Sequence, residues 1–79
     1  MPHGHLYDAR SLLRLGTTLV GLRRRRGLTQ AQLAEKAGVS RQWLIAAEKG
    51  QKDGLEIGKL MVALDALGAS LMIRDDLDG

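Results

Sequence analysis

The sequence predicts an all-α domain of four helices, followed by one short C-terminal β-strand. Two observations support this fold class: apolar residues recur at helical spacing in four segments, and a glycine follows each of those segments. The 79 residues of the chain suffice for one small domain, and domains of this size commonly gain stability by associating. We expect a flexible arm over residues 1–10, the helical domain over 11–67, and a dimerisation strand with an acidic tail over 68–79.

The first helix is predicted from a stripe of leucines. They recur at steps of three and four residues, which places them on one helix face: Leu12, Leu15, Leu19 and Leu22. Asp8 is a candidate N-cap, and Gly27 supplies the left-handed residue at which helices commonly end. The block Arg23–Arg26 makes the end of this helix strongly basic.

The second helix is predicted from a capping box. Thr29 and Gln32 have the required spacing, so the helix should begin at Gln30 and end near Gly38. Ala34 is small enough to allow close approach of the next helix. Gly38 suits the tight turn that follows, because a positive φ is costly for residues that carry a Cβ.

Two further helices follow. Ser40 is the predicted N-cap of the third, which should extend to about Lys49 and end before Gly50. In the fourth, Asp53 and Glu56 repeat the capping spacing, and the apolar positions are Ile57, Leu60, Met61, Leu64 and Leu67, before Gly68.

The last segment changes to strand periodicity. Its apolar residues alternate with the others, at Ala69, Leu71 and Ile73. A single strand leaves its backbone groups without partners, and the sequence shows no second strand. Pairing with the same segment of a second subunit would supply them, so we predict a homodimer with Leu71 and Ile73 in its interface. A frayed tail is the alternative.

Composition argues against several classes of function. The absence of cysteine excludes disulfides and Cys-ligated metal sites. Both histidines, His3 and His5, lie in the predicted arm, so we expect no enzyme, catalytic residue, metal or cofactor. No apolar run approaches the roughly 20 residues of a membrane span, and a cytoplasmic, nucleoid-associated protein is expected. The net charge of +3, with a basic middle, suits a polyanion.

The segment Thr29–Gly50 resembles the helix-turn-helix of the phage-repressor and Cro family, also called the XRE family. The matching runs are GLTQAQLAEKAGVS and LIAAEKG, and the resemblance covers roughly Leu12–Leu67. A narrower resemblance, through EKGQKDGLEIGKLMVALDALGASLMI, is to HipB-type antitoxins. These resemblances imply a lambda-repressor-like domain that binds double-stranded operator DNA. The second also implies a homodimer paired through terminal strands and a HipA-like kinase toxin as partner.

The resemblance implies that the third helix, Arg41–Lys49, enters the major groove. The resemblance places base contacts at Arg41, Gln42 and Ala46, and we also expect Ser40, the cap that precedes them, to lie at the DNA. Arginine can bond guanine, and glutamine adenine, through two hydrogen bonds each, while an alanine methyl can meet a thymine methyl. In the alternative for Arg41, its side chain binds phosphate. In the alternative for Ala46, the small side chain serves only to avoid a clash.

The remaining DNA-binding candidates concern the phosphate backbone. The resemblance places a phosphate on the side chain and backbone N–H of Gln30, at a helix N-terminus that favours anions. Lys49 and Lys52 either flank the DNA backbone or form solvated surface. Trp43 either donates its indole N–H to a phosphate or packs in the core.

The resemblance also implies a buried ion pair between Arg23 and Glu48 that fixes the third helix. Arg24–Arg26 would form a solvated face or attract phosphate diffusely, and one of them could serve the C-terminus of their own helix. The function expected is an autoregulating repressor that binds an inverted repeat as a homodimer and acts as an antitoxin. A stand-alone regulator, or an interaction module that chiefly neutralises a toxin, is the alternative.

Overall fold

A computed structural model of the chain describes residues 6–51 and 55–77. It contains four α-helices, which confirm the predicted fold class: α1 (Leu12–Arg25), α2 (Gln30–Ala37), α3 (Arg41–Glu48) and α4 (Ile57–Ala66). Residues 69–75 form no β-strand within this single chain, and no other described segment does. Strand pairing between two subunits therefore stays a prediction. None of the described helices is long and apolar enough to cross a membrane.

The first helix begins later than its predicted cap. Ser11 is the N-cap of α1, and its Oγ accepts a hydrogen bond of 3.1 Å from the backbone N–H of Arg14. The prediction that Asp8 caps this helix is wrong, because the chain does not turn into the helix until three residues later. The Asp8 carboxylate instead forms ion pairs of 3.3 Å with Arg10 and with the Arg14 side chain.

The caps around α2 and α3 agree with the sequence prediction. Thr29 and Gln32 form both bonds of the capping box, at 2.8 and 3.1 Å. Gly38 has a φ of 75°, the left-handed conformation that the turn requires. Ser40 Oγ then accepts a 3.0 Å hydrogen bond from the backbone N–H of Trp43, which begins α3. Local hydrogen bonds thus fix the length of the turn between the two helices.

One core holds the four helices together. Its largest fully buried side chains are leucines contributed by every helix and by the end of α4: Leu19, Leu33, Leu44, Leu60 and Leu67. Ala34, 4% exposed, lies in this core at α2 as expected of a small residue at a helix crossing. One side of each of the short helices α2 and α3 is therefore buried, and the other side remains at the surface.

The backbones of α1 and α3 come into unusually close contact. An added Cβ at Gly16 in α1 would lie 2.4 Å from the carbonyl oxygen of Glu48 and 2.6 Å from that of Ala47. Gly50, with a φ of 69°, brings the chain after α3 similarly close to Leu13. The C-terminal end of α3 therefore rests directly on α1.

The fourth helix buries only part of its predicted stripe. Leu60, Leu64 and Leu67 are buried, whereas Ile57 and Met61 are 54% and 53% exposed. Glu56 is the N-cap and makes no side-chain capping bond, and Asp53 lies outside the described residues. The capping spacing of those two residues thus does not mark the start of α4.

Candidate nucleic-acid interface

The N-terminal turn of α3 presents two long polar side chains to solvent. Arg41 and Gln42 are exposed, and Ala46, one turn after Gln42 on the same side, is half-buried. The helix places them there because Trp43, Leu44 and Ala47 take its opposite side into the core. The structure therefore brings together the three residues predicted to contact bases.

These exposed side chains have no partners within the described part of the chain. Neither Arg41 nor Gln42 forms a side-chain hydrogen bond or ion pair there, and Lys49, at the C-cap of α3, is likewise exposed. A guanidinium and an amide held ready at a helix N-terminus can each form two hydrogen bonds with a planar acceptor edge. Lys52 lies outside the described residues.

A buried ion pair joins α1 to the last residue of α3. Arg23 Nε lies 2.7 Å from Glu48 Oε2, and Arg23 Nη2 lies 3.2 Å from Oε1, in a two-bond geometry. The two side chains are only 11% and 4% exposed. Arg23 also donates to the carbonyl oxygen of Leu28 at 2.9 Å. The expected pair is present, and it leaves little of either charge in water.

Gln30 also belongs to this buried network. Its side-chain Nε2 donates to Glu48 Oε1 at 2.9 Å, a bond between the first residue of α2 and the last of α3. Sequence reasoning gave Gln30 no role besides phosphate binding. A further donor to Glu48 could have been expected, because a buried carboxylate can accept more hydrogen bonds than one arginine donates. The donors of the capping box are the backbone N–H groups of Thr29 and Gln32, and the backbone N–H of Gln30 donates no bond within it.

Trp43 lies in the core and not on the exposed face. The residue is 4% exposed, and its indole Nε1 is enclosed without a hydrogen-bond partner among the described residues. A phosphate therefore cannot reach that N–H in this conformation. The structure contradicts the phosphate contact and supports the alternative of core packing. The physical reason is that Trp43 and Ala47, four residues apart, share the buried side of α3.

The three remaining arginines of the basic block differ from one another. Arg24 is exposed, as expected for a solvated face. Arg25 donates to the hydroxyl oxygen of Tyr7 at 3.0 Å. Arg26 Nε donates to the carbonyl oxygen of Leu67 at 3.0 Å, so it serves the C-terminal end of α4 instead of its own helix. Arg26 thereby ties α1 to the start of the C-terminal segment.

The C-terminal segment lies along the surface beside the N-terminal one. Asp76 accepts hydrogen bonds from Arg10 at 3.0 Å and from Arg74 at 2.6 Å. The hydrogen bond to Asp76, together with the charge of that carboxylate, raises the pKa of Arg74. Leu71 and Ile73 are 46% and 96% exposed in the single chain. These two apolar side chains are therefore accessible to a second subunit.

Comparison with known proteins places this arrangement in a family. A family model described as a helix-turn-helix domain matches residues 14–77. The chain is 33% identical to the clp gene regulator ClgR from Corynebacterium glutamicum, over 81% of this chain and 85% of that one, with a TM-score of 0.70. It is 29% identical to the restriction-modification controller protein C.AhdI from Aeromonas hydrophila, over 75% and 88%, with a TM-score of 0.70.

A third solved structure, of a HipB–O4 20mer complex, shares the fold. Its TM-score is 0.78 at 22% identity, over 90% of this chain and 99% of that one. No curated protein sequence gives a significant match. The family model covers most of the chain, including α2, the turn and α3. The chain therefore belongs to the XRE-type helix-turn-helix family, a family of DNA-binding regulators.

Proposed function

We propose that the protein is a sequence-specific transcriptional repressor that binds an inverted-repeat operator as a homodimer. The observation that carries the proposal is the N-terminal turn of α3. Arg41 and Gln42 are exposed and unengaged there, while the far end of the same helix is fixed by the buried Arg23–Glu48 pair. A rigid helix with free polar side chains at one end suits insertion into the major groove.

The proposed contacts divide between bases and phosphates. Arg41 and Gln42 would bond the edges of guanine and adenine, and the Ala46 methyl would lie against a thymine methyl. The backbone N–H of Gln30, at the N-terminus of α2, would bond a phosphate and set the register of α3 on the DNA. Lys49 and Lys52 would add attraction to the backbone. Ser40 contributes by beginning α3 at the required residue.

A homodimer would place two copies of α3 on one face of the duplex. The apolar side chains exposed in the single chain, Met61, Val62, Leu71 and Ile73, support association through α4 and the C-terminal segment. With two-fold symmetry, the half-site centres would lie about one helical turn, ~34–36 Å, apart. Bound across a promoter, the dimer would block transcription sterically. We expect the protein in the cytoplasm, associated with the nucleoid.

Selection from a random duplex pool tests sequence-specific binding. We expect a palindromic consensus, because each subunit contributes one α3. On the selected duplex, Gln42→Ala should cost about 1–3 kcal/mol of binding free energy and relax the preference at one position. A random duplex of equal length, titrated at the same salt concentration, is the control. Equal losses on both duplexes would remove Gln42 from base recognition, and a wild-type protein without preference would refute the proposed function.

An autoregulating antitoxin of a HipBA-like operon is the more specific form of this proposal. It is supported by the sequence resemblance of Glu48–Ile73 to HipB-type antitoxins and by the layout of a helix followed directly by an exposed apolar segment. Copurification should then recover a HipA-like kinase encoded beside this gene, and the selected operator should lie upstream of the gene itself. An operator without an adjacent kinase gene would favour a stand-alone regulator. Kinase binding without an operator would favour an interaction module.

A further inference from the structure

The side chain of Gln30 links the two helices of the helix-turn-helix at the end that lies away from Arg41 and Gln42. It is half-buried, and its Nε2 donates to Glu48 Oε1 at 2.9 Å. Gln30 is the first residue of α2 and Glu48 is the last of α3. The bond therefore joins residues 18 positions apart and closes a loop that contains α2, the turn and the whole of α3.

The carboxylate of Glu48 depends on this bond. Its side chain is 4% exposed, and Oε1 accepts from Gln30 at 2.9 Å and from Arg23 at 3.2 Å. A buried charge is stable in a defined position only if its hydrogen-bonding groups are satisfied. Without the Gln30 amide, Oε1 would keep only the longer of its two bonds. The position of the carboxylate, and of the helix end that carries it, would be less well defined.

The chemistry of the amide determines what remains for a phosphate. A carboxylate only accepts hydrogen bonds, so the nitrogen of the Gln30 amide must face Glu48, and the amide carbonyl must point elsewhere. That carbonyl cannot bond a phosphate oxygen, because both are acceptors, and the bond to Glu48 leaves one hydrogen of Nε2 as the remaining side-chain donor. The backbone N–H of Gln30 donates neither of the two bonds of the capping box. The phosphate contact can therefore fall to the backbone while the side chain stays on Glu48.

The length of α3 makes the position of Glu48, at its C-terminal end, important for base contacts at its N-terminal end. The helix has 8 residues, a length of about 12 Å at 1.5 Å per residue. A tilt of roughly 5° about the Glu48 end would move the Arg41 end by about 1 Å over that length. Hydrogen bonds to base edges weaken when the distance between donor and acceptor grows by more than about half an ångström.

We propose that the Gln30 side chain is a positioning residue for DNA recognition. It acts through Glu48 to hold α3 at a fixed angle. The proposal rests on the proposed function, since it concerns how α3 is aimed at base edges. It differs from the expectation drawn from family resemblance, in which the Gln30 side chain binds phosphate and its loss weakens binding to every duplex alike.

The test compares Gln30→Ala with Gln32→Ala on two duplexes at one salt concentration: the duplex recovered by selection and a scrambled duplex of the same composition. Gln32 is the matched control, because it is also a glutamine in the first turn of α2, but its side chain bonds the Thr29 N–H and not Glu48. Gln30→Ala should reduce the ratio of specific to nonspecific affinity by roughly 2- to 10-fold, the range that the loss of one hydrogen bond allows. Gln32→Ala should leave that ratio unchanged.

A double-mutant cycle tests whether the effect passes through Glu48. In a background with Arg23→Met and Glu48→Met, which removes both buried charges together, Gln30→Ala should change the affinity ratio no further. Equal losses on both duplexes, no loss at all, or a full additional loss in that background would overturn the proposal. If the background variant does not fold, the comparison with Gln32→Ala decides alone. A wild-type protein without preference for the selected duplex would instead refute the proposed function.

Discussion

The close contact between α1 and α3 predicts a specific response to Gly16→Ala. The new Cβ would lie 2.4 Å from the Glu48 carbonyl oxygen, 2.6 Å from that of Ala47 and 2.8 Å from the Glu48 carbonyl carbon. All three are backbone atoms, so none can rotate away. Favourable contact needs about 3.5 Å or more. The two helices must therefore separate by about 1 Å at the C-terminal end of α3 to restore such contact.

Two opposing contributions determine how much Gly16→Ala changes the free energy of unfolding. Overpacking of this kind costs about 1–3 kcal/mol, whereas replacing glycine by alanine inside a helix stabilises it by about 1 kcal/mol. Gly21→Ala is the matched control, because Gly21 lies in the same helix, is exposed, and would gain a Cβ with nothing within 4 Å of it. The control should gain about 1 kcal/mol, and the two variants should differ by the overpacking cost alone, about 1–3 kcal/mol.

Urea unfolding followed by the fluorescence of Trp43, the one tryptophan of the chain, measures both variants. Binding to the selected duplex should fall for Gly16→Ala, because α3 is displaced, and should be unchanged for Gly21→Ala. If both substitutions stabilise the protein equally and leave DNA binding intact, the space at Gly16 is larger than the structure indicates, and the argument from close contact fails.

Two further predictions concern the buried ion pair and the dimer. Arg23→Met should cost about 3–5 kcal/mol of unfolding free energy, because it leaves the buried Glu48 charge without its partner. Adding Glu48→Met should restore most of that loss in the same urea assay. A loss below about 1 kcal/mol would instead match an exposed ion pair. Ile73→Asp should convert a dimer to monomers in sedimentation experiments. Met72→Asp, on the other side of the predicted strand, should not, and equal effects of both would argue against strand pairing.

The features that the sequence predicted best are those fixed by local hydrogen bonds. The capping box of Thr29 and Gln32 and the left-handed Gly38 depend on residues within one turn, and both occur as expected. The same local logic placed the cap of α1 wrongly at Asp8. Aspartate and serine are similarly good N-caps, so the choice of Ser11 depends on where the leucine face of α1 meets the core, which local spacing does not specify.

Features that depend on helix crossing were harder to predict. The bond between Gln30 and Glu48 joins residues 18 apart, and it forms because α2 and α3 diverge from one turn at a particular angle. Trp43 lies on the side of α3 that faces the core, together with Leu44 and Ala47. Family resemblance supplied the Arg23–Glu48 pair, but no periodicity in the sequence indicates that a third side chain completes it.

The structure of α3 predicts that residues away from Arg41 and Gln42 affect the recognition of DNA. Within the described chain, the side chains of Arg41 and Gln42 make no bonds that would orient the N-terminal turn. An 8-residue helix is too short to be stable alone, so its direction must come from contacts elsewhere. The glycine contact at Gly16 sets how closely its C-terminal end approaches α1, and the Glu48 network sets its angle to α2. Substitutions at those two points should therefore reduce discrimination between duplexes more than they reduce attraction to DNA in general.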